Sequence, residues 1–306
     1  MNTIPSTEDR IWAVLSHLSA LAFGMGILLP IISWSEQRCK SKYASFQCLQ
    51  ALGYQSLGYT IWLLSYLVVM IVLLVIFAIA VGAAGDDSTL ITAWTGIFVF
   101  IAFGLFGIYI LLPIIAAIAC AFGKDFRYPM MGNRLAKYLG YPQTDDKSAW
   151  LVEEHEDRWV AAMGHFSIII LLWGLIAPLS TWILQGKRSL FLKFQSIQTL
   201  VYQVGVTILY FGAVFVYMFG FFAFIAATGL AGGAENGSPT GMLSLIIFIV
   251  FSLLAFAVIL FVPLLHILGQ WAGFRVLKGD DYRYPLIGRL VENWIAQNIS
   301  LKEKTS

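Results

Sequence analysis

No Asp, Glu, Lys or Arg interrupts residues 11–35, 43–85, 88–123, 159–186, 194–234 or 236–274. A helix needs about 20 mostly apolar residues to cross the hydrocarbon core of a bilayer, and every one of these runs is long enough. Within lipid the backbone must satisfy its own hydrogen bonds, so such runs fold as helices. They are too long and too irregular for the alternating strands of a barrel. Only 12% of the residues are charged, against roughly a quarter in soluble domains, which places the chain outside that class. The tryptophans agree: Trp34 and Trp182 immediately precede basic loops, and Trp12, Trp150, Trp159, Trp271 and Trp294 fall near segment ends, as in an interfacial aromatic belt. The start of the chain lacks the basic region that precedes a signal-peptide core, and Ser6 or Thr7 before Glu8-Asp9 reads as a helix cap.

The chain compares with itself. At an offset of 148 residues, positions 8 to 55 give 17 identities in 48 without a gap, among them Glu8-Asp9-Arg10/Glu156-Asp157-Arg158, His17/His165, Gly26/Gly174, Pro30/Pro178, Trp34/Trp182 and Gln37/Gln185. Shared apolar composition does not generate matches at His, Gln, Pro and Trp. Farther on, the offset is 150 at Pro113/Pro263 and 156 at a closing motif, where Gly123, Asp125 and Arg127-Tyr128-Pro129 return as Gly279, Asp281 and Arg283-Tyr284-Pro285. The expected fold is therefore an all-α integral membrane protein built from two tandem repeats of a three-segment helical unit. Residues 1–140 form the first repeat, 141–154 a polar linker, and 155–306 the second repeat with a polar C-terminal tail.

Charge sets the expected topology. If every segment crossed, the two copies would be inverted, and the 19 Lys and Arg residues would divide ten to nine between the two sides. Real topologies concentrate them on the cytoplasmic side. If the first segment of each repeat does not cross, all 19 fall on one side, and the loops around Asp86-Asp87 and Glu235-Asn236 face the other. Gly24, Gly26 and Pro30, with Gly174 and Pro178, offer the means: a re-entrant or interfacial hairpin of two half-depth helices. The copies are then parallel, with both termini in the cytoplasm, in what is expected to be a bacterial cytoplasmic membrane.

Few residues invite chemistry. His17 and His165 occupy equivalent positions, and paired imidazoles can hold haem or a metal, but each lies near the interface, where a structural hydrogen bond is the plainer expectation. Gln47, Gln50 and Tyr54 fall at i, i+3 and i+7 with Gln55 beside them, and Gln195, Gln198, Tyr202 and Gln203 repeat the pattern. Amides at membrane depth need partners, so these faces read either as interhelical glue or as the lining of a polar path between the repeats. No acid or base lies within an apolar run, and no phosphate loop, metal motif or nucleophile elbow appears, so no catalytic, cofactor-binding or metal residue is expected. Cys39, Cys48 and Cys120 match neither a disulfide framework nor a zinc site, and a net charge of +2 does not suggest a nucleic-acid partner.

The run from His17-Leu18-Ser19 through Gly26 and Pro30, a basic loop, Phe46-Gln47, Gln50-Ala51-Leu52 and the closing Arg127-Tyr128-Pro129 resembles a known group, once per copy. It is similar to a bacterial membrane domain related to the channel subunit of the chloroplast inner-envelope protein translocon. The resemblance implies a helical membrane fold with an even number of spans and supplies no catalytic residues. The chain departs from the group's pattern at Lys42-Tyr43-Ala44-Ser45, where a Pro-Phe pair is common, and in fusing two copies. The expected function is that of a non-enzymatic membrane subunit or scaffold, with the lipid bilayer and other membrane proteins as partners. The alternatives are a channel or transporter using the Gln/Tyr faces, and a haem- or metal-binding membrane protein.

Overall fold

The computed structural model describes residues 5–84, 88–141, 150–230 and 239–305. The loops around Asp86-Asp87 and Glu235-Asn236, most of the 141–154 linker and the first four residues lie outside the described residues. All regular structure among the described residues is helical. In the first repeat, α1 (Thr7–Leu18) and α2 (Leu28–Gln37) flank a tight turn at 19–27. Next, α3 (Lys42–Gly53) runs through a wide turn at 54–58 into α4 (Tyr59–Ala84), followed by α5 (Ser88–Ala121) and the short α6 (Gly132–Tyr138). The second repeat gives α7 (Glu153–Phe166), α8 (Ile176–Gln185), α9 (Leu190–Leu230), α10 (Pro239–Leu277) and α11 (Ile287–Thr305).

The chain starts with a reciprocal cap. Asp9 N–H donates to Ser6 Oγ (3.1 Å) and Ser6 N–H to Asp9 Oδ2 (3.0 Å). By length and apolarity residues 7–37 could cross a membrane, yet they fold back. Gln37 Nε2 donates to Glu8 Oε1 at 3.3 Å, two residues that a straight helix would hold about 43 Å apart. In the second repeat Arg188 Nη2 meets Glu153 Oε1 at 3.4 Å. The reversals are made at Phe23 (φ 49°) and Leu171 (φ 51°), which are equivalent residues, and not at the glycines themselves. Gly26 and Gly174 serve the close approach that follows. A Cβ there would lie 1.9 Å from the Ser19 carbonyl oxygen or 2.2 Å from that of Ser167. Pro30 sits in the first turn of α2, where its missing N–H costs no helical bond.

The hairpins surround only the lower part of the crossing helices. Residues 44–56 are buried, whereas α4 is mostly exposed along its 26 residues, a length of about 39 Å that covers the hydrocarbon core unaided. The hairpin tip reaches the level of Phe106, on which Phe23 stacks (5.9 Å). Each repeat thus contributes two long apolar helices able to cross a membrane and a folded-back hairpin.

The two hairpins point the same way. Their tips touch, Gly24 against Ile170 and Trp173, and their bases touch, Arg38 Nη1 donating to Gln185 Oε1 at 3.2 Å. The copies are therefore parallel. The seam between them is asymmetric. Trp159 of α7 donates to the Leu49 carbonyl (2.9 Å) with its ring against Gly53, and Trp34 donates to Glu156 Oε1 (3.1 Å). Arg38, its side chain 1% exposed, pairs with Asp157 (2.8 Å), Glu153 (3.3 Å) and Glu156 (3.8 Å). Gly186 occupies the equivalent position in the second repeat, so among the described residues this cluster is confined to the seam.

Removing one member of a buried ionic cluster strands the rest. Arg38→Met is expected to cost about 3–5 kcal/mol, read as a lowered unfolding midpoint in detergent, and adding Glu156→Gln with Asp157→Asn should restore part of the loss. A single variant as stable as the wild type would contradict the seam described here.

Candidate functional site

The Gln/Tyr face of α3 turns inward because two helix ends need closing at a depth where water is scarce. Gln47 and Gln50 are wholly buried beneath the loop 122–131 that follows α5. The Phe126 carbonyl accepts from Gln50 Nε2 (2.9 Å) and Gln47 Nε2 (3.1 Å), and the Tyr128 N–H donates to Gln50 Oε1 (3.2 Å). One amide thus satisfies a main-chain acceptor and a main-chain donor of the closing motif.

These acceptors fix the proton order farther in. Phe126 O and Asp125 Oδ1 (3.0 Å) both take hydrogens from Gln47 Nε2, so Gln47 presents Oε1 to His17 Nε2 at 3.1 Å. His17 Nε2 therefore carries the proton, and Nδ1 accepts from the Tyr128 hydroxyl at 3.0 Å. Both ring nitrogens are engaged. Burial pushes the Asp125 carboxyl up, while Arg127, 2.9 Å away, and the Gln47 amide act in the opposite direction.

Tyr54 and Gln55 do similar work one turn on. The Tyr54 hydroxyl donates to the Tyr109 carbonyl (2.7 Å), and its ring stacks on Tyr128 (4.4 Å). That carbonyl has lost its helical partner, since Pro113 stands four residues later without an N–H. Gln55 Nε2 donates to the Ser16 carbonyl (3.1 Å) and Ser19 Oγ (3.0 Å), closing the end of α1.

The second repeat builds the same network. His165 engages the Tyr284 hydroxyl (2.9 Å) and Gln195 Oε1 (3.1 Å). Gln195 and Gln198 donate to the Tyr282 carbonyl (3.2 and 2.7 Å), and Tyr284 N–H donates to Gln198 Oε1 (3.2 Å). Gln203 donates to the Gly164 carbonyl (2.8 Å), and Tyr202 to that of Leu265 (2.8 Å) while stacking on Tyr284 (4.0 Å). The Oε1 atoms of Gln55 and Gln203 are buried without a donor among the described residues, a cost both copies share. The copies differ at their edges: Asp281 faces Arg158 (3.7 Å), not the amides, and Thr199 replaces Ala51.

All eight Gln/Tyr side chains thus bond within their own repeat, and each histidine bonds to its own repeat's Tyr and Gln. The structure brings neither the two faces nor the two imidazoles together by hydrogen bonding across the seam. The partners that sequence reading did not supply are main-chain groups, together with Ser19 and Ser167. The structural register also separates two prolines that the sequence aligned. Tyr109 and Leu265 are equivalent, at an offset of 156, so Gly269 and not Pro263 stands opposite Pro113.

Set against known proteins, the chain matches the model of the magnetosome magnetite crystal formation protein family (MamF/MmsF) twice, over residues 8–135 and 156–291. It belongs to that family, with its membrane domain present in two copies. No curated protein and no solved structure matches.

Gln50→Leu would leave the buried Tyr128 N–H without an acceptor, at about 1–3 kcal/mol, well above the roughly 0.6 kcal/mol of an average interhelical bond in a membrane. Unfolding titrations in mixed micelles should therefore show Gln50→Leu losing clearly more stability than Tyr54→Phe. Equal losses would mean that the amide does not hold the closing motif.

Proposed function

We propose that this member of the magnetosome magnetite crystal formation family is a non-enzymatic integral subunit of the crystal-bearing membrane. It acts by holding other membrane proteins or lipids in place. What carries the reading is the closure of its inner polar groups: the Gln/Tyr faces, His17, His165 and the closing-motif tyrosines are bonded to their own repeat, and the surfaces offered outward are apolar helices. Such a body suits packing within a membrane better than turnover of a substrate. Both termini and the basic hairpin bases lie in the cytoplasm on this reading, because Lys and Arg concentrate there. The ends of α4 and α9 at Ala84 and Leu230 then face the side on which an enclosed crystal would grow.

A channel is the second reading, suggested by the matching Gln/Tyr faces of the two repeats. Its path would have to run along the Gln/Tyr faces, which are engaged within the repeats.

Two measurements separate the readings. In a magnetite-forming host, deleting the gene is expected to change crystal size or shape while the surrounding membrane still forms, as seen by electron microscopy. Liposomes carrying the purified chain should show no specific conductance. Normal crystals in the deletion strain would remove the first reading. A robust conductance abolished by Gln50→Leu with Gln198→Leu, in folded protein, would establish the second.

A further inference from the structure

A cavity of about 490 Å³ opens where the first repeat meets the second, within the range of sites that enclose a small molecule. Its wall runs from Tyr54, in the layer of the amide network, past Gly58 to Ile61 and Trp62 in the lipid-facing part of the helix, about 12 Å along the axis. Trp159 closes it from the second repeat. Arg134 of α6 lies at the end of the cavity that the charge count assigns to the cytoplasm, exposed, and no carboxylate among the described residues lies within ion-pair distance of it. Lys137 follows one turn later on the same helix, which carries no acid.

We infer that this cavity binds one anionic phospholipid of the cytoplasmic leaflet, an acyl chain lying between Trp159 and the α3–α4 helix and the phosphate held by Arg134. The depth fits: the apolar wall begins at the level of the hairpins and ends among residues that face hydrocarbon. The charge fits as well, since a guanidinium with no carboxylate partner among the described residues, beside an apolar slot, recognises a phosphate bidentately. The second repeat supplies an internal contrast. Leu290 stands at the position of Arg134 and Val206 at that of Gly58, so the second repeat lacks both the cation and the open wall. The site is thus a product of the duplication. It does not rest on the scaffold reading, since a channel could carry the same lipid.

The test is native mass spectrometry of the full chain released from nanodiscs containing equal phosphatidylglycerol and phosphatidylcholine. The wild type should retain one phospholipid, with phosphatidylglycerol favoured about fivefold. Arg134→Leu, at an exposed position that leaves packing untouched, should keep one lipid and bring the ratio to about one. Gly58→Leu, whose Cβ meets only Tyr54 and its own helix turn in ordinary contact, should lose the lipid of either kind. A wild type that retains no lipid, or that pairs with a second copy instead, would overturn the proposal. So would an unchanged preference in Arg134→Leu, which decides the matter even if Gly58→Leu does not fold.

Discussion

Main-chain groups that end a helix where water is scarce need a partner, and this structure is organised by how it supplies them. Each repeat turns a hairpin at the membrane interface and then brings the end of its last crossing helix back beneath it, so two helix ends and one closing loop fall in the same dry layer. Side-chain amides answer this need because each carries donors and an acceptor together. Gln50 and Gln198 bridge a carbonyl and an N–H of the closing motif, and Gln55 and Gln203 close the end of the hairpin's first helix. The histidines join these two tasks, lying on the hairpin and bonding to the tyrosine of the closing motif. A residue type that suggests metal or haem is here bonded through both ring nitrogens to its own repeat.

Duplication then adds what neither copy has alone. The repeats share even their unusual backbone: Phe23 and Leu171, and Met130 and Leu286, are equivalent non-glycine residues with positive φ. Their contact is nevertheless one-sided. Trp159 enters the groove beside Gly53, whereas the matching residues are Ile11, which is exposed, and Val201, whose side chain fills the position of the glycine. Arg38 has acids to meet because the second hairpin begins beside it, and Gly186 has none. The seam therefore carries the buried ionic cluster and a cavity of about 490 Å³, and the outward faces remain apolar.

Much of this is legible from residue order. Charge-free runs give the helices, the 148-residue offset gives the repeats, and the count of Lys and Arg favours a first segment that does not cross. The spacing of Gln47, Gln50 and Tyr54 marks a single buried face. What it does not contain is the identity of the partners, because most of them are main-chain carbonyls and N–H groups, which leave no mark in a sequence. For the same reason the reversal could be placed near Gly24 and Gly26 but not on Phe23: the glycine is needed where two segments pass, not where the chain turns. Pro113 and Pro263 matched as letters, yet only Pro113 frees a carbonyl that a tyrosine takes up. The seam was illegible for a different reason, since Arg38, Trp159 and Arg134 have no counterpart in the other copy and self-comparison passes over them.

The central claim is that residues 7–37 form a hairpin and not a crossing. Spin labels at Thr7 and Glu36, both exposed, in a chain with Cys39 replaced and reconstituted in lipid, give the distance directly by pulsed electron resonance. Two antiparallel packed helices place the labels roughly 10–20 Å apart. A distance near the ~43 Å of an unbroken helix would contradict the fold, the parallel copies and the closure that depends on them.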